Sequence, residues 1–185
     1  RVRIKKYRSY KGEVGKIAPN LLQRDFYAEK PNQKWVTDVT EFSLFGQKLY
    51  LSAIPDLHSS YLISYTISER PVLKIVTSML GKAFQTIPNG TNLILHSDQG
   101  GQYQNKCYRQ MLKQKDIRQS MSRKGNCSDN AVMENFFGLL KSELPYLQEF
   151  QSMEHFKREL VEYLDYYNNH RIKGELRGLP PAIHR

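Results

Sequence analysis

The stretch from Asn92 to Lys141 constrains the fold of this chain more than any other part of its sequence. It opens with an apolar segment, Leu93 to Leu95, that predicts a strand; this strand leads to Asp98 and is broken by two successive glycines. Its last part predicts a helix that presents Glu134, with Lys141 seven residues further along. The 35 residues between the two acids separate one carboxylate at a strand end from another on a helix.

A third acid, Asp38, lies upstream in the segment K-W-V-T-D-V-T. Two acids on strands and one on a helix form the set of oxygen ligands that phosphoryl chemistry with Mg²⁺ requires. Each acid also has an ordinary explanation. Asp38 could point to solvent from a strand, Asp98 could be a turn residue, and Glu134 could be a solvated helix charge.

The order of the predicted elements indicates an α/β fold. Three strands joined by short turns predict an antiparallel meander, and the strand ending near Asp98 enters the sheet in parallel after a helix, by a right-handed crossover. The predicted strands are 35–44, 49–54, 61–67, 93–95 and 117–120, and the predicted helices are 71–84, 105–115, one starting near 130 with Ser128 or Asp129 as its N-cap, and 153–169. A mixed sheet with helices on both faces follows.

Four motifs occur in a fixed order along the chain. They are W-V-T-D-V-T-E-F (35–42), H-S-D-Q-G-G-Q-Y (96–103), S-R-K-G-N-C-S-D-N-A-V-M-E-N-F-F-G (122–138) and Y-Y-N-N-H-R (166–171). Together they resemble the integrase core of bacterial insertion-sequence transposases, a DDE-type family of the retroviral integrase superfamily. The resemblance implies an RNase H-like fold with a five-stranded mixed sheet, and it implies that Asp38, Asp98 and Glu134 are both the catalytic residues and the metal ligands.

The same resemblance implies an activity and its partners. We expect two Mg²⁺ ions, with Mn²⁺ as the alternative, and double-stranded DNA as substrate, both insertion-sequence ends and target DNA. The expected reaction is strand cleavage followed by strand transfer of the 3′-OH, within a homo-oligomer assembled on DNA. Two alternatives stay open: an RNase H-like nuclease that cuts without joining, and a catalytically inactive DNA-binding remnant.

Five further residues are candidate DNA contacts. Asn130, Glu134 and Lys141 share one helix stripe, which predicts a DNA-facing edge with Lys141 on a phosphate; the alternative for Lys141 is a helix-end solubility charge. Arg123 and Lys124 lie in a loop without periodicity, where they either hold the DNA backbone or are ordinary surface charges. His96 shares a strand face with Asp98 and is predicted either to contact DNA or to support the acids from behind.

The charge balance agrees with a polyanionic partner. Lys and Arg number 28 against 18 Asp and Glu, for a net charge of +10 over 185 residues. Residues 1–30 are strongly basic and predict either an arm that tracks phosphates or a solvated linker. We expect residues 31–170 to form the catalytic core and 171–185 a C-terminal tail, with an end-recognising region belonging to a longer protein.

Cysteine usage and hydropathy bear on the compartment. Cys107 and Cys127 without a signal peptide indicate a reducing environment, and no apolar run approaches the roughly 18 residues that span a membrane. These features predict a cytoplasmic protein that does not engage membranes, and the resemblance implies that it is bacterial and acts on chromosomal or plasmid DNA. The absence of paired Cys and His spacing argues against structural zinc.

Overall fold

The structure is a computed structural model that describes residues 3–6, 15–147 and 149–169. Part of the predicted basic arm, the predicted tail 171–185, and His170 and Arg171 of the last motif lie outside the described residues.

The strands form two sheets that share one segment of chain. The described strands are β1 (Arg3–Lys6), β2 (Lys34–Val36), β3 (Asp38–Leu44), β4 (Gln47–Pro55), β5 (Leu62–Ser68), β6 (Ile94–Ser97) and β7 (Arg118–Met121). An antiparallel sheet has the order β1-β3-β4-β5, and a parallel sheet has the order β2-β6-β7. Because only Thr37 separates β2 from β3, the two sheets are continuous through this segment, and the predicted mixed pairing is confirmed.

The predicted count of five strands is wrong, since the described residues form seven. Arg3–Lys6 of the basic arm adds β1 against β3, and the predicted first strand is divided at Thr37. There the backbone changes partners. The Thr37 N–H donates to His96 O at 2.9 Å, toward β6, while its hydroxyl donates to Ala53 O at 2.8 Å, on β4.

Four of the five described α-helices follow the predicted positions closely, and the short helix at Gly101–Gln104 was not predicted. The described helices are α1 (Lys74–Phe84), α2 (Gly101–Gln104), α3 (Lys106–Gln114), α4 (Ala131–Leu147) and α5 (Met153–Asn169), with a 3-10 turn at Cys127–Asn130. This turn occupies both residues predicted to cap α4, so the α-helix itself begins later, at Ala131. None of these described helices is both long and apolar enough to cross a membrane.

Two hydrophobic cores lie on opposite faces of the sheet. Along β4, Leu49 and Leu51 pack into the core that contains α4 and α5, whereas Tyr50 and Ile54 pack into the core that contains α1 and α3. This alternation is the period of two that strands impose on their side chains. The prediction of helices on both faces is therefore confirmed.

The N-terminal segment, residues 15–30, lies against the core. Leu22 is buried, and the backbone N–H groups of Leu21 and Leu22 donate to Ser120 Oγ on β7, at 2.9 and 3.2 Å. In this part of the predicted arm the backbone is fixed to the sheet rather than solvated on all sides.

Candidate active site

Asp38 and Asp98 stand side by side at the edge of the parallel sheet. In the register of β2 and β6, Val36 pairs with His96, and each acid lies two residues beyond its paired residue. Ligands of α/β proteins bind beyond the carboxyl ends of parallel strands, which is where both carboxylates are found.

Backbone N–H groups orient both carboxylates. Asp38, almost fully buried, accepts a hydrogen bond from Val39 N at 2.8 Å, and Asp98 accepts one from Gly100 N at 2.8 Å. Gly100 leaves room for this arrangement, because a Cβ at that position would lie 2.9 Å from Asp98 Oδ1. The glycine that breaks the strand pattern thus also fixes an acid.

Tyr103 shows the electrostatic effect of the paired aspartates. The phenol is completely buried in α2. Burial raises its pKa well above the ordinary value, and the charges of Asp38 and Asp98 raise that pKa further. The two acids therefore create a negative potential that a bound cation would offset.

Helix α4 brings Glu134 to the same place. Asp38, Asp98 and Glu134 line one cavity of about 270 Å³, together with Lys124 and Asn130. Asn130 links the start of α4 to the strands, since its Nδ2 donates to Thr37 O at 3.4 Å. Its Oδ1 is buried and accepts no hydrogen bond from the described residues. The cavity thus combines three carboxylates with an unpartnered amide oxygen.

These oxygen donors fit a hard divalent cation. Carboxylate and amide oxygens are the ligands that Mg²⁺ and Mn²⁺ take, and the one sulfur in the cavity lining belongs to exposed Cys127. As placed, no group of three His, Cys, Asp or Glu side chains within the described residues is close enough to hold a metal ion. Glu134 is exposed on α4 and lines the same cavity as the two aspartates.

His96 lies behind the acids and out of reach of DNA. Its side chain is completely buried, with Nδ1 2.7 Å from Ser120 Oγ and Nε2 3.1 Å from Ser122 Oγ. Burial lowers its pKa, which favours the neutral ring, while the nearby charge of Asp129 acts in the opposite direction. The predicted DNA contact is not available to this imidazole. The alternative, support of the acids from behind the site, stays a prediction.

The predicted cations of the site have different surroundings. Arg123 donates to Asp129 through Nε at 3.0 Å and Nη2 at 3.1 Å, and Lys124 is exposed on the cavity wall. Lys141 is exposed on α4, about 10 Å further along the helix than Glu134 at 1.5 Å per residue. The DNA contacts of Arg123, Lys124, Lys141 and Asn130 stay predictions.

Asp129 lies beside the acid cavity and anchors its wall residue Arg123, a role that the sequence interpretation missed when it considered Asp129 only as a helix cap. Its carboxylate is fully buried and accepts hydrogen bonds from Arg123 N at 2.8 Å, Arg24 Nε at 2.9 Å and Asn20 Nδ2 at 3.3 Å, besides the Arg123 guanidinium. Hydrogen bonds from Arg123 and then from Arg24 hold the pKa of this carboxyl far below its usual range against the opposing effect of burial. Its signal in the sequence was an acid inside an otherwise basic loop.

Comparison with known families identifies the chain. A model of the integrase core domain matches residues 28–127, and a second integrase core domain model matches residues 134–185. The chain belongs to the integrase core domain family. The resemblance drawn from the four motifs is confirmed.

Relatives of this integrase core occur in bacterial insertion sequences. This chain is 54% identical over 184 residues to InsK of insertion sequence element IS150 from Escherichia coli, and the match covers 100% of this chain and 65% of InsK. It is 49% identical over 183 residues to a transposase-like protein of Haemophilus influenzae, covering 99% of this chain and 84% of that protein. The transposase InsF for insertion sequence IS3A of E. coli is 37% identical over 174 residues, which are 94% of this chain and 60% of InsF. The integrase core thus spans less than two thirds of the length of InsK and of InsF.

Solved structures with the same fold include retroviral integrases. The HTLV-2 integrase catalytic core domain in complex with magnesium superposes with a TM-score of 0.67 at 19% identity, over 85% of this chain and 99% of that one. A chain of the simian T-cell lymphotropic virus intasome gives a TM-score of 0.71 at 20% identity, over 99% of this chain and 60% of that one. The RNase H-like fold expected from the sequence is confirmed.

Proposed function

We propose that this integrase core catalyses metal-dependent cleavage of DNA strands and transfer of the resulting 3′-OH to a second DNA during transposition. Asp38, Asp98 and Glu134 act as the catalytic carboxylates and hold two divalent ions, Mg²⁺ or Mn²⁺. One observation carries the proposal: three acids from distant parts of the sequence line one cavity at the carboxyl edge of the sheet.

The residues of the chain supply oxygen donors, and the two aspartates among them are held in place by backbone hydrogen bonds. Val39 N–H and Gly100 N–H fix the orientation of the two aspartates, and Asn130 brings an amide oxygen from the start of α4. Bound divalent ions supply Lewis-acid chemistry, which polarises a phosphoryl oxygen and makes water a nucleophile at neutral pH. The complex of HTLV-2 integrase with magnesium supports this choice of metal.

DNA is the partner that the charge distribution favours. A net charge of +10 attracts a polyanion, and exposed Lys124 stands on the wall of the acid cavity where a strand backbone would pass. The related chain of the simian virus acts in an intasome, and the HTLV-2 core was solved in a dimeric form. We propose that this core likewise works as a homo-oligomer on DNA.

Product analysis with end-labelled DNA tests the proposal directly. In a protein that joins this core to an end-recognising region, we expect Mg²⁺-dependent nicked products and, in addition, longer joined products, both abolished by EDTA. Nicked products without joined ones would indicate a nuclease instead. DNA binding with no metal-dependent product at all would leave only the inactive remnant.

Gly100→Ala tests whether the placement of Asp98 matters for catalysis. The new Cβ would lie 2.9 Å from Asp98 Oδ1, so the carboxylate has to move. Since a shift of about 1 Å at a reacting centre costs up to about a hundredfold, we expect a roughly 10- to 100-fold slower cleavage rate in single-turnover measurements. Gly81→Ala is the control, because a Cβ there meets no atom within 4 Å. Wild-type cleavage by Gly100→Ala would contradict the assigned role of this glycine.

A further inference from the structure

A second cavity adjoins the acid site. It has a volume of about 370 Å³ and is lined by Asn20, Gln23 and Arg24 of the N-terminal segment together with Arg123 and Asp129. Arg123 also lines the cavity that contains the three acids, so the two spaces meet at this side chain. All five lining residues are polar or charged, which excludes an apolar ligand.

The charges around this cavity do not cancel. Asp129, whose side chain is 0% exposed, is paired with both guanidinium groups, those of Arg24 at 2.9 Å and of Arg123 at 3.0 Å. One bidentate arginine is enough to satisfy a carboxylate, so the second cation is in excess. The cluster therefore carries one net positive charge beside an open polar space.

Both arginines keep unused donors. A guanidinium has five N–H groups. Arg24 uses Nε on Asp129 and Nη2 on Asn126 Oδ1, and Arg123 uses Nε and Nη2 on Asp129. Their remaining N–H groups donate to no acceptor within the described ranges, and the side chains are 47% and 59% exposed. These donors are accessible to a ligand in the cavity.

The chain fixes Arg24 in this position. Gln23 and Arg24 both adopt left-handed backbone conformations, with φ of 49° and 60°, which non-glycine residues hold only when their surroundings enforce them. Asn20 Oδ1 accepts from Gln23 N at 2.9 Å, and the neighbouring backbone is bonded to Ser120. A preorganised arginine loses less conformational entropy on binding than a free surface arginine does.

We propose that this cavity binds a backbone phosphate of DNA, recognised by Arg24 and Arg123 together. The N–H donors of a planar guanidinium match the oxygens of a phosphate. The net positive charge of the cluster attracts the phosphate despite the repulsion from the buried carboxylate of Asp129. The inference rests on the proposed function and extends it, because it places one DNA contact on the N-terminal segment next to the acid site.

Equilibrium binding of a fluorescein-labelled duplex of random sequence, in EDTA, tests the site without catalysis. Arg24→Gln should weaken binding about 5- to 10-fold near 0.1 M salt. The plot of the logarithm of the association constant against the logarithm of the salt concentration should become less steep by about one unit of slope, because one phosphate contact is lost. Gln23→Glu should weaken binding about fivefold, because it places a negative charge in the cavity without removing any contact to Asp129.

Matched controls lie at the tip of the β3–β4 hairpin, at the opposite end of β3 from Asp38. Lys48 pairs with one carboxylate as Arg24 does, and Gln47 is exposed as Gln23 is. Lys48→Gln and Gln47→Glu make the same charge changes away from the cavity.

The decisive variant is Gln23→Glu. If it binds DNA no more weakly than Gln47→Glu, the phosphate site is refuted whatever Arg24→Gln does, since losing Arg24 also disturbs the loop. A wild-type chain that binds no duplex at all would refute the phosphate site, whereas the proposed function is refuted separately, by the absence of metal-dependent products from the longer protein. Wild-type binding with unaffected variants would refute the site alone.

Discussion

Asp98→Asn and Glu134→Gln are each expected to slow DNA strand cleavage by at least about a thousandfold, with strand transfer lost in parallel. Removing a single charge-stabilising donor from an active site costs about 10² to 10³ in rate, and a carboxylate that holds a metal contributes at least as much. In Asp98→Asn the amide oxygen would still accept the hydrogen bond from Gly100 N, so the fold around the site should persist. The measurement is single-turnover cleavage of labelled DNA in Mg²⁺ and, separately, in Mn²⁺.

The control for these variants is Glu154→Gln. Glu154 is exposed in the first turn of α5 and undergoes the same loss of charge outside the acid cavity. It should cleave and join DNA at the wild-type rate. DNA affinity and the thermal unfolding midpoint should be preserved in all three variants. If Asp98→Asn kept a tenth or more of the wild-type rate, Asp98 would not be a metal ligand in the reaction.

The position of Asp38 on β3 determines which face of the sheet its carboxylate occupies. Side chains an even number of residues apart on a strand point to the same face of the sheet. Asp38, Phe42 and Leu44 of β3 therefore share one face. Phe42 and Leu44 pack into the core with α4, and Asp38 therefore faces the helix that carries Glu134. The face that Asp38 shares with Phe42 and Leu44 was predictable from the sequence, because the period of a strand is a local property, but which helix covers that face was not.

The buried environment of His96 could not be predicted in the same way. Its two serine partners lie 24 and 26 residues away and come from β7 and the residue that follows it. Whether a histidine two residues before an acid faces solvent or the interior depends on which strand becomes its neighbour. The local sequence pattern was compatible with an exposed or a buried imidazole, and the pairing of β6 with β7 buries it.

The division of the first strand has the same kind of origin. The run from Trp35 to Leu44 is continuous in its apolar and β-branched character, so the sequence predicts one strand. Only the parallel pairing of β2 with β6, and the antiparallel pairing of β3 with β4, divides it at Thr37. The division matters for the site because it leaves Asp38 at the junction of the two sheets.

Asp129 was missed for a related reason. Its partner Arg24 lies 105 residues away, and neither residue belongs to a periodic element. The acid nevertheless joins the N-terminal segment to the loop that precedes α4, which is the loop that places Asn130 and Glu134. Loss of this contact should therefore affect both the free energy of unfolding and the cleavage activity.

Asp129→Asn is expected to destabilise the fold by about 2–3 kcal/mol. The amide nitrogen would confront the N–H donors of Arg24 or Arg123, and a buried ion pair that loses one partner typically costs about 3–5 kcal/mol. The lower figure applies because both guanidinium groups are half exposed and water partly solvates them. For a chain of this size the thermal unfolding midpoint should fall by about 4–12 °C.

The pH dependence separates this ionic contribution from a packing defect. Because the folded pKa of Asp129 is lowered, the unfolded chain binds the proton first as pH falls, so the stabilisation is complete above about pH 5. It is lost progressively below the ordinary aspartate pKa of 3.8, toward the depressed folded pKa. The difference in unfolding free energy between wild type and Asp129→Asn should therefore be constant from about pH 5 to 7 and shrink below about pH 4.

Asp25→Asn is the matched control, since Asp25 also pairs with a cation, Lys34 at 3.0 Å, but is exposed. We expect its unfolding midpoint to stay at the wild-type value, because an exposed ion pair contributes little. If Asp129→Asn had the same thermal unfolding midpoint as Asp25→Asn, the buried carboxylate would not be the group that stabilises the loop before α4. If the difference from wild type persisted unchanged below about pH 3, the loss would come from packing rather than from charge.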